Sequence, residues 1–126
     1  MHKSKLAGFI IDCRTADLQA AASFWGNALG MEIRQLPSPE GDKYIELVDP
    51  NGELHVEVQS VSHPSRVHLD IESDDIESEV RRLEQLGAKR VGKVSTWWVM
   101  EAPTGQRFCV VSSKSSSFAE RAKQWS

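Results

Sequence analysis

The chain has 126 residues, 40% of them hydrophobic and 26% charged, with a net charge of −3. That length supports one domain with a substantial core. A net negative charge without a basic cluster leaves no footprint for nucleic acid, and the apolar runs are far too short to span a membrane. The start, MHKSKLAGFIIDCRT, lacks the apolar core and small-residue cleavage site of a signal peptide. Cys13 and Cys109 lack CxxC spacing. Two thiols in an unexported chain are expected to be reduced, which points to the cytoplasm; a disulfide between them is the alternative.

In chain order, Phe9, Ile11 and Cys13 alternate with Ile10, Asp12 and Arg14, which predicts a strand with one apolar face. A helix is expected from about Asp17 to Leu29, with Leu18, Ala21, Ala22, Trp25 and Leu29 on its apolar side and Gly30 as its left-handed stop. MEIRQL reads as a strand, PSPEGD as a turn-rich loop and KYIELVDPNG as a strand closed by a turn. ELHVEVQSV is a strand with Leu54, Val56 and Val58 on the core face and His55, Glu57 and Gln59 on the other.

The stretch RVHLDIESDDIESEVRRLEQLGA, Arg66–Ala88, repeats the opening: a strand, a capped turn and an amphipathic helix. Val67, Leu69 and Ile71 point one way, and His68, Asp70 and Glu72 the other. Asp74, three residues before Glu77, resembles a capping box. Ile76, Val80 and Leu83 form the helix stripe, Leu86 extends it, and Gly87 sits at the C-cap. AKRVGKV, STWWVMEAPTG and QRFCVVSS are three further strands.

The copies align. Asp17 follows Ile10 by seven positions, as Asp75 follows His68, and Leu29-Gly30 matches Leu86-Gly87. Asp49-Pro50-Asn51-Gly52 matches Ala102-Pro103-Thr104-Gly105, and PSPEGD accounts for the longer first copy. The chain is therefore expected to be a single α+β domain of two βαβββ modules, about 6–60 and 66–113, joined by VSHPSR and followed by a tail, 114–126. In the tail, Phe118, Ala122 and Trp125 fit a short docking helix; a frayed terminus is the alternative.

This order of motifs resembles the vicinal oxygen chelate superfamily, the glyoxalase, bleomycin-resistance and extradiol dioxygenase group. RVHLDIESDDIESEVRRLEQLGA and VMEAPTGQRFCVV are similar to its glyoxalase-like domain members. The resemblance covers about Leu6 to Ser112. It implies a cupped, mixed sheet with helices on the outer face, a homodimer, and a divalent metal held by first and last strands of the modules. Carried over residue by residue, the ligand positions fall on His68, Glu57 and Cys109, with Ile10 in the fourth place. Zinc, manganese, iron or nickel would fit the family, the cysteine favours zinc or no metal, and a metal-free site is the alternative.

Within that frame His68 is a candidate ligand or general base, with Asp70 and Glu72 as proton-moving carboxylates. The implied catalytic set is His68, Asp70 and Glu72. Asp12, Arg14, Trp98, Met100 and Arg107 are the expected ligand-binding residues. The arginines could grip a carboxylate or phosphate, although structural ion pairing with Asp12 or Asp70 is favoured. Trp98 and Met100 would form a flat apolar wall. Tyr44 and Glu46 are further cup-facing candidates, with His55 at the rim. The function implied is binding of a small molecule in the cup, either by a metal-dependent lyase, isomerase or dioxygenase or by a ligand-sequestering protein.

Overall fold

The computed structural model describes all of residues 1–126. Nine strands and three helices make an α+β architecture: β1 His2–Arg14, α1 Leu18–Leu29, β2 Glu32–Gln35, β3 Tyr44–Val48, β4 His55–Val61, β5 Arg66–Ser73, α2 Ile76–Gln85, β6 Lys89–Val94, β7 Trp97–Glu101, β8 Arg107–Ser112, α3 Phe118–Arg121 and β9 Lys123–Trp125. The chain divides into two compact units, Gly8–Val67 and Met1–Ala7 with His68–Ser126. No helix is long and apolar enough to cross a membrane.

In the first unit the strands lie in the order β2-β3-β4-β1. β4 runs parallel to β1 and the other pairs are antiparallel. Alternation puts Ile11, Val56, Val58, Ile45 and Leu47 on the face that packs with Ala22 of α1. Phe9, Cys13, Leu18, Ala21 and Trp25 surround that core. Asp17 caps α1 by accepting from the Ala20 N–H at 3.0 Å, and Gly30 ends it at φ 68°. Gly8 is required by the β1–β4 contact, because a Cβ there would stand 1.8 Å from the His55 carbonyl oxygen. Leu29, expected on the apolar side of α1, is 44% exposed.

In the second unit the order is β5-β8-β7-β6, with β5 and β8 parallel. The stripe of α2 buries Val80 and Leu83 against Met100 and Val110, with Ile71, Ile76, Trp98 and Phe108 packed around them. Asp75, the aspartate that the repeat spacing marks, is the N-cap of α2. It accepts from the Ser78 N–H at 3.1 Å and the Ser78 hydroxyl at 2.8 Å, and these bonds hold its carboxyl below the usual carboxylate range. The expected capping box at Asp74 is therefore displaced by one residue. Asp74 instead accepts from the Lys3 N–H at 2.8 Å, and Glu77 turns outward to Arg90 at 2.5 Å. At the other end Gly87 takes φ 107°, and the Ala88 N–H reaches back to the Leu83 carbonyl at 3.0 Å.

The tail is ordered, but not as a helix from Phe118 to Trp125. The helical turn α3 stops at Arg121 and Ala122 is extended, so the chain continues as β9, antiparallel to the start of β1 with His2 opposite Trp125. Trp125 donates to the Ser4 hydroxyl at 2.9 Å and lies 3.8 Å beneath the Arg82 guanidinium. Arg82 makes two bonds, of 2.9 and 2.8 Å, to the fully buried Glu79, whose carboxylate also meets His2 at 2.8 Å. Burial pushes the Glu79 carboxyl up, but hydrogen bonds from Arg82, His2 and Ser4 outweigh it and hold the group below its ordinary value.

Candidate functional site

The polar row of β5 faces away from α2, as the alternation requires. His68 is partly buried, while Asp70 and Glu72 are 7% and 1% exposed. On the helix side only Ile71 reaches the core; Val67 and Leu69 remain exposed. Asp70 is directly opposite Cys109 in the parallel β5–β8 ladder. Cys109 is buried on the face opposite Phe108 and Val110, which pack under α2. This register brings three side chains together. One ligand-type atom from each of His68, Asp70 and Cys109 lies within 4.8 Å of the others, and His68 Nε2 is 3.7 Å from an Asp70 carboxylate oxygen.

Glu72 does not join them. Its Oε1 accepts from the Lys114 and Ser115 N–H groups, both at 3.2 Å, and from the Ser115 hydroxyl at 2.9 Å, and its other oxygen is 3.8 Å from Lys5 Nζ. The expected proton-moving carboxylate is thus a fastening for the start of the tail. Trp98 and Met100 are also placed otherwise than expected. Both pack in the α2 core, with Met100 completely buried and Trp98 beneath the Arg90 guanidinium at 4.9 Å. The register explains this: Trp98 pairs with Val110 and Met100 with Phe108, so Val99 stands opposite Cys109. Trp97 and Val99, rather than Trp98 and Met100, therefore take the Cys109 face. Arg107 shares that face and is 3.3 Å from Glu101 across the β7–β8 ladder.

The remaining candidates lie in the first unit, on the face away from α1. Glu57 and Ile10 are register partners, and Ile10 is 2% exposed. Glu57 is 3.5 Å from His55, which is 3.8 Å from Glu46; Glu46 in turn is 2.5 Å from Arg34. Gln59 donates to the Tyr44 hydroxyl at 2.9 Å. Asp12 is buried and 3.8 Å from Arg66 Nε, whereas the Arg14 side chain is exposed and its N–H donates to Ser65 at 2.9 Å. Cys13 and Cys109 are free thiols, and burial pushes the Cys13 thiol up.

The donor chemistry of the trio fits a metal. Tetrahedral zinc with bonds of about 2.0–2.3 Å sets its ligand atoms roughly 3.3–3.8 Å apart. The His68–Asp70 separation of 3.7 Å is slightly wider than the roughly 3.3–3.5 Å that zinc–nitrogen and zinc–oxygen bonds set, and all three donor atoms lie within 4.8 Å of one another. An imidazole, a carboxylate and a thiolate leave the fourth position for water or substrate.

The model of the glyoxalase-like domain matches residues 8–111. The chain belongs to the glyoxalase-like domain family. Its fold is shared by methylmalonyl-CoA epimerase from Mycobacterium tuberculosis (TM-score 0.63, 15% identity, 86% of this chain and 88% of that one). It is shared by a variant of the Streptomyces coelicolor methylmalonyl-CoA epimerase in complex with 2-nitronate-propionyl-CoA (TM-score 0.58, 13% identity, 88% and 96%). A glyoxalase/bleomycin resistance protein/dioxygenase superfamily member from Vibrio splendidus 12B01 also has it (TM-score 0.52, 17% identity, 85% and 98%). No curated protein sequence matches the chain. The family places the chain in the vicinal oxygen chelate superfamily.

Proposed function

We propose that this chain is a small-molecule enzyme of lyase or isomerase type, acting on a carbonyl compound with neighbouring oxygens at a divalent metal bound by His68. The observation that carries the reading is the meeting of His68, Asp70 and Cys109 donor atoms within 4.8 Å. By the resemblance to the superfamily, His68 and Cys109 fall on positions that carry ligands. When bound, the metal supplies Lewis acidity for an enolate or oxyanion of the substrate. The chain's own part is to hold the donors on two hydrogen-bonded strands and to line their surroundings. Val99 flanks Cys109 across the β7–β8 ladder, Trp97 follows on the same face as an apolar wall, and Arg107 offers a cation for an anionic group of the ligand.

The test is elemental analysis of protein purified without chelator, beside a His68→Ala variant. The reading expects near one metal per chain, lost in the variant; no metal in either, and no stoichiometric uptake, would refute it. A second reading, ligand sequestration without chemistry, draws support from Ile10, a buried aliphatic residue at a family ligand position. It expects tryptophan fluorescence to respond to ligands in metal-free protein.

The chain is further read as a cytoplasmic homodimer. Two free thiols support the compartment. Helix α1 supports the dimer: it carries no charged residue and leaves Phe24 62% exposed. Sedimentation at the mass of two chains, reduced to one by Phe24→Asp, is the expected result.

A further inference from the structure

The geometry points to a soft, zinc-class metal site made by His68, Asp70 and Cys109 within the second unit alone, with Asp70 as the carboxylate ligand in place of Glu57. This rests on the metal reading above and narrows it to a ligand set and a class of ion.

Three observations carry it. The first is placement: Asp70 and Cys109 are register partners on adjacent parallel strands, and His68 is two residues from Asp70 on the same face. The backbone ladder therefore fixes all three, and no loop has to close around an ion. The second is charge. As ligands, a carboxylate and a thiolate would bring two negative charges, and one divalent cation beside an imidazole would balance both in a buried setting where Coulomb energies exceed those in water. The third is ligand softness. Thiolate sulfur favours zinc, cobalt and cadmium, whereas magnesium and manganese favour all-oxygen shells. Glu57, by contrast, already stands 3.5 Å from His55 within its own unit.

Cobalt is the probe, because sulfur bound to cobalt gives a near-ultraviolet charge-transfer band that oxygen and nitrogen ligands do not. Metal-free full-length protein is titrated with Co²⁺, alongside Cys109→Ser, Asp70→Asn, Glu57→Gln and Cys13→Ser variants whose folding is checked by circular dichroism. The expected result is one cobalt per chain with the band. Zinc displaces it stoichiometrically, and a thousandfold excess of magnesium does not. Cys109→Ser loses the band. Asp70→Asn weakens binding by more than the roughly 10–100-fold that loss of an outer-shell partner causes. Glu57→Gln and Cys13→Ser bind as the native chain does. If the Cys109 variant fails to fold, the native spectrum with the Cys13→Ser control still decides, since the chain has two cysteines. Stoichiometric cobalt without the band, or binding weakened by Glu57→Gln and untouched by Asp70→Asn, overturns this ligand set while the metal reading stands. No uptake of any ion overturns both.

Discussion

Replacing Glu79 by alanine tests how the second unit is held together. The carboxylate is completely buried and receives two Arg82 bonds and one from His2, all between 2.8 and 2.9 Å. Removing one partner of a buried pair is worth about 3–5 kcal/mol, because the other charge is left without compensation. The Arg82 side chain keeps 23% of its exposure, so water reaches it and the lower end applies, about 3 kcal/mol. For a chain of this size that is a fall in Tm of roughly 10 °C at pH 7. Glu79→Gln, which keeps an acceptor but no charge, should fall by about half as much. The pH dependence has a definite sign. The folded carboxyl titrates below its unfolded value, so its contribution is complete above about pH 4.3 and is lost as pH falls through the folded value. The assay is thermal unfolding of the native chain and both variants between pH 3 and 7. A Glu79→Ala variant within about 2 °C of native at pH 7, or a gap that widens in acid, would refute the reasoning.

Glu72→Ala should loosen the tail by removing the acceptor for three groups of Lys114 and Ser115, at about 2–3 kcal/mol. Limited proteolysis should then cut after Ser112 while cobalt uptake persists; lost uptake with an intact tail would return Glu72 to the site. Trp98→Ala should destabilise the α2 core by about 3 kcal/mol and leave ligand-dependent fluorescence in place. Trp97→Phe should do the reverse, and the opposite pattern in the two would reject the face assigned to them. Gly8→Ala drives a Cβ into the His55 carbonyl, so it should cost more than about 4 kcal/mol and give little soluble protein; normal melting would show that the β1–β4 contact yields easily.

The modular pattern was legible because it is written redundantly. Asp17 and Asp75 share their spacing from the strand, and each caps the helix that follows. Cys109 has its face fixed by its place between Phe108 and Val110, which pack in the core. The tryptophans carried no such signal: in WWVM both alternations are apolar, and only pairing with β8 decides which one is buried. Asp74 and Asp75 were equally able to cap, and the choice was made by Lys3, a residue distant in sequence that engages Asp74. The tail escaped for a related reason. Its i, i+4, i+7 spacing fits a helix locally, but β1 offers an open edge for β9, and a helix that short gains little from its own hydrogen bonds.

These placements explain why three ionisable groups follow one another on β5. A row of acids and a histidine on one strand face looks like a single reactive site, yet β5 uses it twice. At its start His68 and Asp70 face Cys109, where a cation can balance them. Two residues further on, Glu72 meets backbone N–H groups of the tail, and at the strand's end the Ser73 hydroxyl donates to the Lys3 carbonyl at 2.9 Å. The same strand that presents the donors is thus clamped at its far end by both chain termini. Because a metal site needs its donors fixed to within a fraction of an ångström, that clamp bears on function as well as stability. Loosening it through Glu72 should broaden the cobalt spectrum and raise the metal off-rate before it lowers occupancy. A Glu72→Ala variant with a freed tail and an unchanged off-rate would show that the two ends of β5 act independently.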